Sequence, residues 1–339
     1  MRVALIHNEP IKGSPDSEDV LDQVKLVTDA LEAMGASYEI MPLSISASDE
    51  NSAASRSFSL IEAEFTLLRK LKKYNPDVVV NLVEAVPESV VFQHHIVLLL
   101  ERFKYNFTGS GYEAMLTTSD KVLSKRLMQA FGIPTPEWQA YVGGRVPDIT
   151  IPGPWLVKPA LEDASLGIDD NSVFSDKGRL RKALPEIYQR LGRQCLLIER
   201  FIEGREFNVA VLEAPGGVEV LPLAEMTFVD WPKEKPRIVG YSAKWHRGSF
   251  EEVNTVRSFD PAGAPSDEIR SVSLKCWNAF KLSGYGRVDI RLDAEGRVYV
   301  LEINANPCIS PDSGYIAAIK QSGRSEQEFV TAMLEAASN

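Results

Sequence analysis

Two hydrophobic periods alternate along the first third of the chain. Arg2–His7 (RVALIH), Tyr38–Leu43 and Asp77–Leu82 (DVVVNL) are short, nearly continuous apolar runs, the pattern of strands buried on both faces. Residues 17–35, ending at Gly35, then about 59–73 and 89–103 repeat their apolar positions at helical spacing. Ser44–Phe58 is rich in Ser and Ala with weak periodicity, so a loop is expected there. Strand and helix in alternation predict a parallel sheet flanked by helices over about 1–115.

Beyond that point the order changes. A helix at about 119–131 stops before Gly132-Ile-Pro134-Thr-Pro136, where proline ends it. Strands are expected at Trp155–Lys158, Cys195–Glu199, Glu206–Leu212 and 218–229, with Gly204 turning between two of them, and helices at 177–192 and 266–282. From Trp231 to about Pro265 no period holds, and loops of such length are usually functional or mobile. Strands at about 286–292 and 297–304, joined by Asp293-Ala-Glu-Gly296, read as a hairpin.

With 339 residues the chain is long enough for two or three domains. It is 44% hydrophobic and 25% charged, ordinary for a globular protein. Its 37 basic against 47 acidic residues give a net charge of −10, which argues against nucleic acid or an anionic membrane as partner. Cys195, Cys276 and Cys308 lack CxxC spacing, so neither a disulfide framework nor a zinc site is indicated. The apolar runs are too short for a signal peptide or a span, and a cytoplasmic location is expected.

The hairpin carries the candidate chemistry. Alternation puts Arg287 and Asp289 on one face of its first strand, Glu302 and Asn304 on one face of the second, and brings Asp289 opposite Glu302. Val288, Ile290, Leu292, Tyr299, Leu301 and Ile303 form the other face, which reads as core. An all-oxygen set suits Mg²⁺; a solvated sheet face is the alternative. Glu302-Ile-Asn-Ala-Asn-Pro307 speaks for the metal, because its polar residues interrupt an apolar run where a core strand would continue.

This segment resembles the signature of ATP-grasp ligases, most closely D-alanine–D-alanine ligases and their relatives. The resemblance implies that Asp289, Glu302 and Asn304 hold two Mg²⁺ ions, or Mn²⁺ in their place, against the phosphates of ATP, and that Arg287 steadies an oxyanion. It extends over roughly 75–320. Thr108-Gly-Ser-Gly111 with Ser119-Asp-Lys121, and Trp155-Leu-Val-Lys158-Pro159, match the family's two phosphate-lysine segments, making Lys121 and Lys158 those lysines. Ser165 and Gly167 match a Gly/Ser-rich lid, from which Asp163 and Ala164 depart. Glu199, Arg200, Ile202 and Glu206 correspond to the adenine and ribose contacts, and Leu301 joins the nucleotide-contacting set. Tyr241-Ser-Ala-Lys244-Trp245 matches a mobile loop; Lys244 would reach the γ-phosphate, and Trp245 stands where the D-Ala ligases usually carry Tyr.

The substrate-binding parts resemble the family less. The glycine-rich N-terminal motif is absent. Glu18 becomes the candidate ammonium anchor, and Glu88 or Glu84, in Asn81-Leu-Val-Glu84-Ala-Val-Pro-Glu88, faces the first substrate. Ser313 lies in the loop corresponding to the carboxylate site of the second substrate, where Cys308 replaces a usual Gly. His246, in the mobile loop, reads as a solvated side chain, with a proton shuttle as the alternative; His94 and His95 are expected at a helix surface or subunit contact. The implied fold is α/β with α+β parts: an N-terminal parallel-sheet domain (1–116) and two ATP-grasp subdomains (117–202 and 203–339) clamping ATP. The implied activity is ATP-dependent carboxylate–amine ligation through an acyl phosphate, in a homodimer, with D-alanyl-D-alanine the best-named product. A ligase for other acids and amines, and a nucleotide-binding module without catalysis, are the alternatives.

Overall fold

The computed structural model describes residues 1–44, 53–84, 92–162, 165–259 and 261–338, with the side chains of 53–59 outside that set. Three sheets follow one another along the described chain. The first is parallel, in the order β2-β1-β3, from β1 (Arg2–Asn8), β2 (Ser37–Leu43) and β3 (Val78–Leu82). Helices α1 (Pro15–Glu18), α2 (Val20–Ala33), α3 (Ala53–Tyr74) and α4 (Phe92–Arg102) connect and cover it. Val20, Val24, Val27 and Leu31 form the buried stripe of α2, spaced as a helix facing a sheet requires. Helix α3 starts earlier than the sequence suggested, so 53–58 are helical rather than loop.

Helices α5 (Tyr112–Ser119) and α6 (Lys121–Ala130) lead to the second sheet, where a single helix had been expected from about 119. Asp120 separates them and caps α6, accepting from the N–H groups of Val122 and Leu123. This sheet is antiparallel in the order β4-β7-β5-β6: β4 (Trp138–Tyr141), β5 (Trp155–Pro159), β6 (Val173–Phe174) and β7 (Leu196–Arg200), backed by α7 (Lys177–Arg190).

The third sheet runs β11-β10-β8-β12-β13, with β9 paired to β8. Its strands are β8 (Arg205–Ala214), β9 (Gly217–Val220), β10 (Ala224–Phe228), β11 (Thr255–Ser258), β12 (Tyr285–Leu292) and β13 (Val298–Asn304). The expected strand at 218–229 is therefore two strands, broken around Pro222, which has no N–H for a ladder. The stretch from Trp231 is not featureless: it holds α8 (Tyr241–Trp245), α9 (Phe250–Asn254) and β11. Gly204 turns between the second and third sheets with φ +151°, and a Cβ there would lie 2.0 Å from the Leu292 carbonyl oxygen, so only glycine fits.

Helix α10 (Ser266–Ala279) packs on the third sheet, while α11 (Gly314–Gln321) and α12 (Glu326–Ser338) return to the first. At that junction Tyr285, Tyr315 and Phe329 meet pairwise at ring-centroid distances of 5.8, 5.9 and 5.4 Å, each pair adding about 0.5–1.5 kcal/mol beyond its buried area. The Tyr285 hydroxyl donates to Asn306 Oδ1 at 2.8 Å, fixing the loop between β13 and α11. No helix among the described residues is long and apolar enough to cross a membrane. His94 is not at the surface as expected: it is buried on α4, while His95 is exposed beside Glu64.

Candidate active site

A cavity of about 1760 Å³ opens between the sheets, well above the roughly 300–1,000 Å³ of a typical single-ligand pocket. It has room for more than one small molecule. Its floor is the β12–β13 ribbon. Asp289 pairs directly with Glu302, and Arg287 with Asn304. A β-bulge follows: Ile290 pairs with Val300, leaving Leu301 as the extra residue. The core side of β13 is consequently Val298, Val300 and Ile303, not Tyr299, Leu301 and Ile303 as alternation alone suggested. Leu301 and Glu302 both line the cavity.

Asp289 is densely partnered. Arg287 donates to it twice, Nε to Oδ1 at 2.8 Å and Nη2 to Oδ2 at 3.0 Å, and Asn208 on the neighbouring strand donates to Oδ1 at 2.8 Å. With its amide turned to satisfy both neighbours, Asn304 accepts from Arg287 at 3.0 Å and donates to Glu302 at 3.3 Å. Burial pushes the Glu302 carboxyl up, but Lys121, Lys158, Lys244 and Arg287 outweigh it and hold the group below the usual range. Two carboxylates and an amide oxygen, all hard donors, match the ligand preference of Mg²⁺, which fills its remaining positions with water or phosphate oxygens.

Cations surround this floor. Lys121, at the start of α6, is buried; its Nζ donates to the Glu162 carbonyl at 2.6 Å and lies 3.7 Å from Glu302. Lys158, on β5, is also buried and lies 2.6 Å from Glu199 Oε1. A third lysine, missed in the sequence, holds the other carboxylate oxygen: Lys125 Nζ is 2.9 Å from Oε2. Burial pushes Glu199 up, yet the two lysines hold it far down, to about 2. Lys125 itself is lowered to about 8, chiefly by burial. Its signal in the sequence is a lysine four residues after Lys121, on the same face of α6.

Glu206 is likewise engaged. Arg291, also missed, donates twice to its Oε2, at 2.7 and 3.0 Å, and once to the Ile202 carbonyl at 2.7 Å. The Arg200 N–H is taken by the Glu137 carbonyl, so the backbone groups expected to meet a ring edge are partly committed within the chain. The two loops above the cavity are stitched together: Ser165 Oγ donates to the Val239 carbonyl at 2.9 Å, and the Tyr241 N–H to the Ile168 carbonyl at 3.2 Å. The Tyr241 hydroxyl reaches Asp16 at 3.0 Å. Lys244 and Trp245 line the cavity beneath. Lys244 keeps contact with solvent, yet the protein crowding its ammonium in the cavity, and then Arg287, lower it from its ordinary value.

On the N-terminal side the expected anchor, Glu18, lines the cavity but is exposed and accepts from the Gly13 N–H. Asp19, its neighbour, is half-buried and accepts from the Cys308 thiol at 2.9 Å. Burial raises Asp19, and burial with Asp19 raises Cys308 well above the ordinary thiol, so Cys308 is a neutral donor and not a nucleophile. Glu84 lines the cavity and accepts from Gln23. Glu88, Asp163 and Ala164 lie outside the described residues. Ser313 caps α11, accepting from the Ile316 N–H, and His246 meets Ser242 in an exposed position.

Residues 127–335 match the family model described as D-ala D-ala ligase C-terminus. An uncharacterized protein, y4sG, of Sinorhizobium fredii is 30% identical over 289 residues, 82% of each chain. A D-alanine–D-alanine ligase of Carboxydothermus hydrogenoformans is 32% identical over 248 residues, 70% of this chain and 74% of that one. The crystal structure of D-alanine–D-alanine ligase from Bacillus anthracis complexed with ATP superposes with a TM-score of 0.73 at 18% identity, covering 99% of this chain and 97% of that one, a likeness of fold.

Proposed function

The chain belongs to the D-alanine–D-alanine ligase family, ATP-dependent carbon–nitrogen ligases of the ATP-grasp fold, and on that premise we propose that its cleft joins two amino acids, or a small acid and an amine, through an acyl phosphate. The observation that carries this reading is the ribbon floor, where Asp289 faces Glu302 beside Asn304 and Lys121, Lys158 and Lys244 all act on the Glu302 carboxylate. Asp289, Glu302 and Asn304 would hold Mg²⁺, which supplies charge neutralisation at phosphate oxygens. Lys121, Lys158 and Lys244 offset charge on the transferring phosphoryl group. Glu199, Arg200, Ile202, Glu206 and Leu301 line the purine and ribose side, with Ser165 over the phosphates.

In this reading a substrate carboxylate takes the γ-phosphoryl group and ADP leaves. The amine then attacks the acyl carbon, phosphate departs, and Arg287 donates to the oxyanion formed on the way. The loops carrying Ser165 and Lys244 exclude water from the hydrolysable intermediate. Glu18, Glu84, Glu88, Trp245 and Ser313 are assigned to the two substrates. Domain limits of 1–116, 117–202 and 203–339 belong to the same proposal, since one sheet falls in each span.

D-alanyl-D-alanine is the best-named product. A different pair is favoured by one observation, the Cys308 thiol bound to Asp19 where the family usually has Gly. The test is ADP release with Mg²⁺ against amino acids of both hands, with mass spectrometry of the product. D-alanine alone supports the first reading and another pair the second; no ADP with any pair removes both.

A further inference from the structure

The edge strand β11 carries two polar side chains that the proposed chemistry leaves unused. Thr255 and Arg257 are two residues apart, so they share a face of the strand, and both line the cavity. Thr255 Oγ1 and Arg257 Nε are shielded from solvent, and neither has a hydrogen-bond partner among the described residues. Buried donors and acceptors are rarely left in this state. Arg287 and Arg291 are each forked onto a carboxylate, which makes the contrast with Arg257 informative. Burial and then Arg287 depress its proton affinity, and Asp312 opposes them only in part.

The guanidinium lies over the first residue of α11. A Cβ at Gly314 would be 3.4 Å from Arg257 Nη2 and 3.6 Å from Nε, an ordinary contact that places the guanidinium directly against the helix start. Ser313 and the first N–H groups of this eight-residue helix already form one place where an acid is favoured. Arg257 and Thr255 add a second, on a different element. One carboxylate needs one such place; two places side by side fit two acids.

We propose that the amine substrate carries two acidic groups, one seated at Ser313 and Gly314 and the second held by Arg257 and Thr255. This rests on the ligase reading of the same cleft. The second acid is a carboxylate or a phosphate, since a guanidinium with a neighbouring hydroxyl suits either.

The experiment offers the purified chain ATP, Mg²⁺ and the carboxylate substrate found by ADP release, with aspartate, glutamate and O-phosphoserine set against asparagine, glutamine and serine as amines, in both hands. The acidic amines are expected to show a KM about 10- to 100-fold below that of their neutral counterparts, the range for a charged hydrogen bond. Aspartate or glutamate against phosphoserine separates carboxylate from phosphate. Arg257→Gln should abolish the preference through KM rather than kcat, and Arg257→Lys should restore part of it. Equal or better use of neutral amines overturns the proposal, as does an Arg257→Gln effect of the same size on acidic and neutral amines. Should no pair release ADP, the ligase reading fails by itself. Calorimetric binding of glutamate against glutamine, in the unaltered chain and in Arg257→Gln, then decides the second acid site: a glutamate preference lost in the variant supports it, and equal binding sinks it.

Discussion

Lys125→Met tests whether the buried lysine–carboxylate–lysine group is organised as the distances say. Lys125 and Glu199 are each only 1% exposed. Removing one partner of a buried pair costs about 3–5 kcal/mol, because the other charge is left behind. Lys158 still holds Oε1 at 2.6 Å, and Thr135 still donates to the Val300 carbonyl that Lys125 also approaches, so the lower end, about 3 kcal/mol, is expected. Glu199→Gln removes the charge from the other side. In the double variant two neutral groups face each other, and its loss should fall short of the sum by about 2 kcal/mol or more. Urea unfolding followed by tryptophan fluorescence measures all four proteins. The sign of the pH effect is fixed as well. Glu199 is depressed from 4.5 to about 2, so its contribution is present above pH 4.5 and is lost as pH falls toward 2. In Lys125→Met that loss should shrink. Additive single losses, within about 0.5 kcal/mol, would refute the coupling.

Three other outcomes are expected. Asp289→Asn or Glu302→Gln should abolish ADP formation while circular dichroism stays unchanged; undiminished turnover in either removes the metal assignment. His94 is pushed down to about 4 by burial and then by His95, so it contributes stability above pH 6.5 that is lost as pH falls through 4, about 3 kcal/mol in full. His94→Leu should flatten the Tm profile over that interval, and an unchanged profile contradicts the burial. Gly204→Ala, which drives a methyl onto the Leu292 carbonyl, should lower stability by several kcal/mol, of order 3 or more, in the same urea assay.

The ribbon was legible because Glu302 and Asn304 interrupt an apolar run where a core strand would continue, and because regular alternation sets Asp289 opposite Glu302. The parallel sheet was legible for the opposite reason: its strands, buried on both faces, scarcely alternate at all. Other parts depend on partners distant in the chain. Nothing near Glu199 in sequence shows that Lys125 and Lys158 close on it, and Arg291 reaches Glu206 across 85 residues. His94 was misplaced because a polar residue on a helix is read as exposed, whereas α4 is covered on that side as well. The stretch after Trp231 was opaque since its helices are one turn long and β11 has four residues, too short for a period to register.

The extra residue in β13 has an engineering corollary. A strand that loses one position normally turns half its side chains inside out. Here Leu301 is the surplus member of a two-against-one pairing, so excising it alone would splice Val300 to Glu302 with both halves still in phase. The shortened ribbon should fold with its acidic pair facing the same way, minus one apolar side chain lining the cavity. Excising Val300 instead would set Leu301 opposite Ile290 in the same phase, so the two residues on the long side of the bulge are where this ribbon tolerates a one-residue loss.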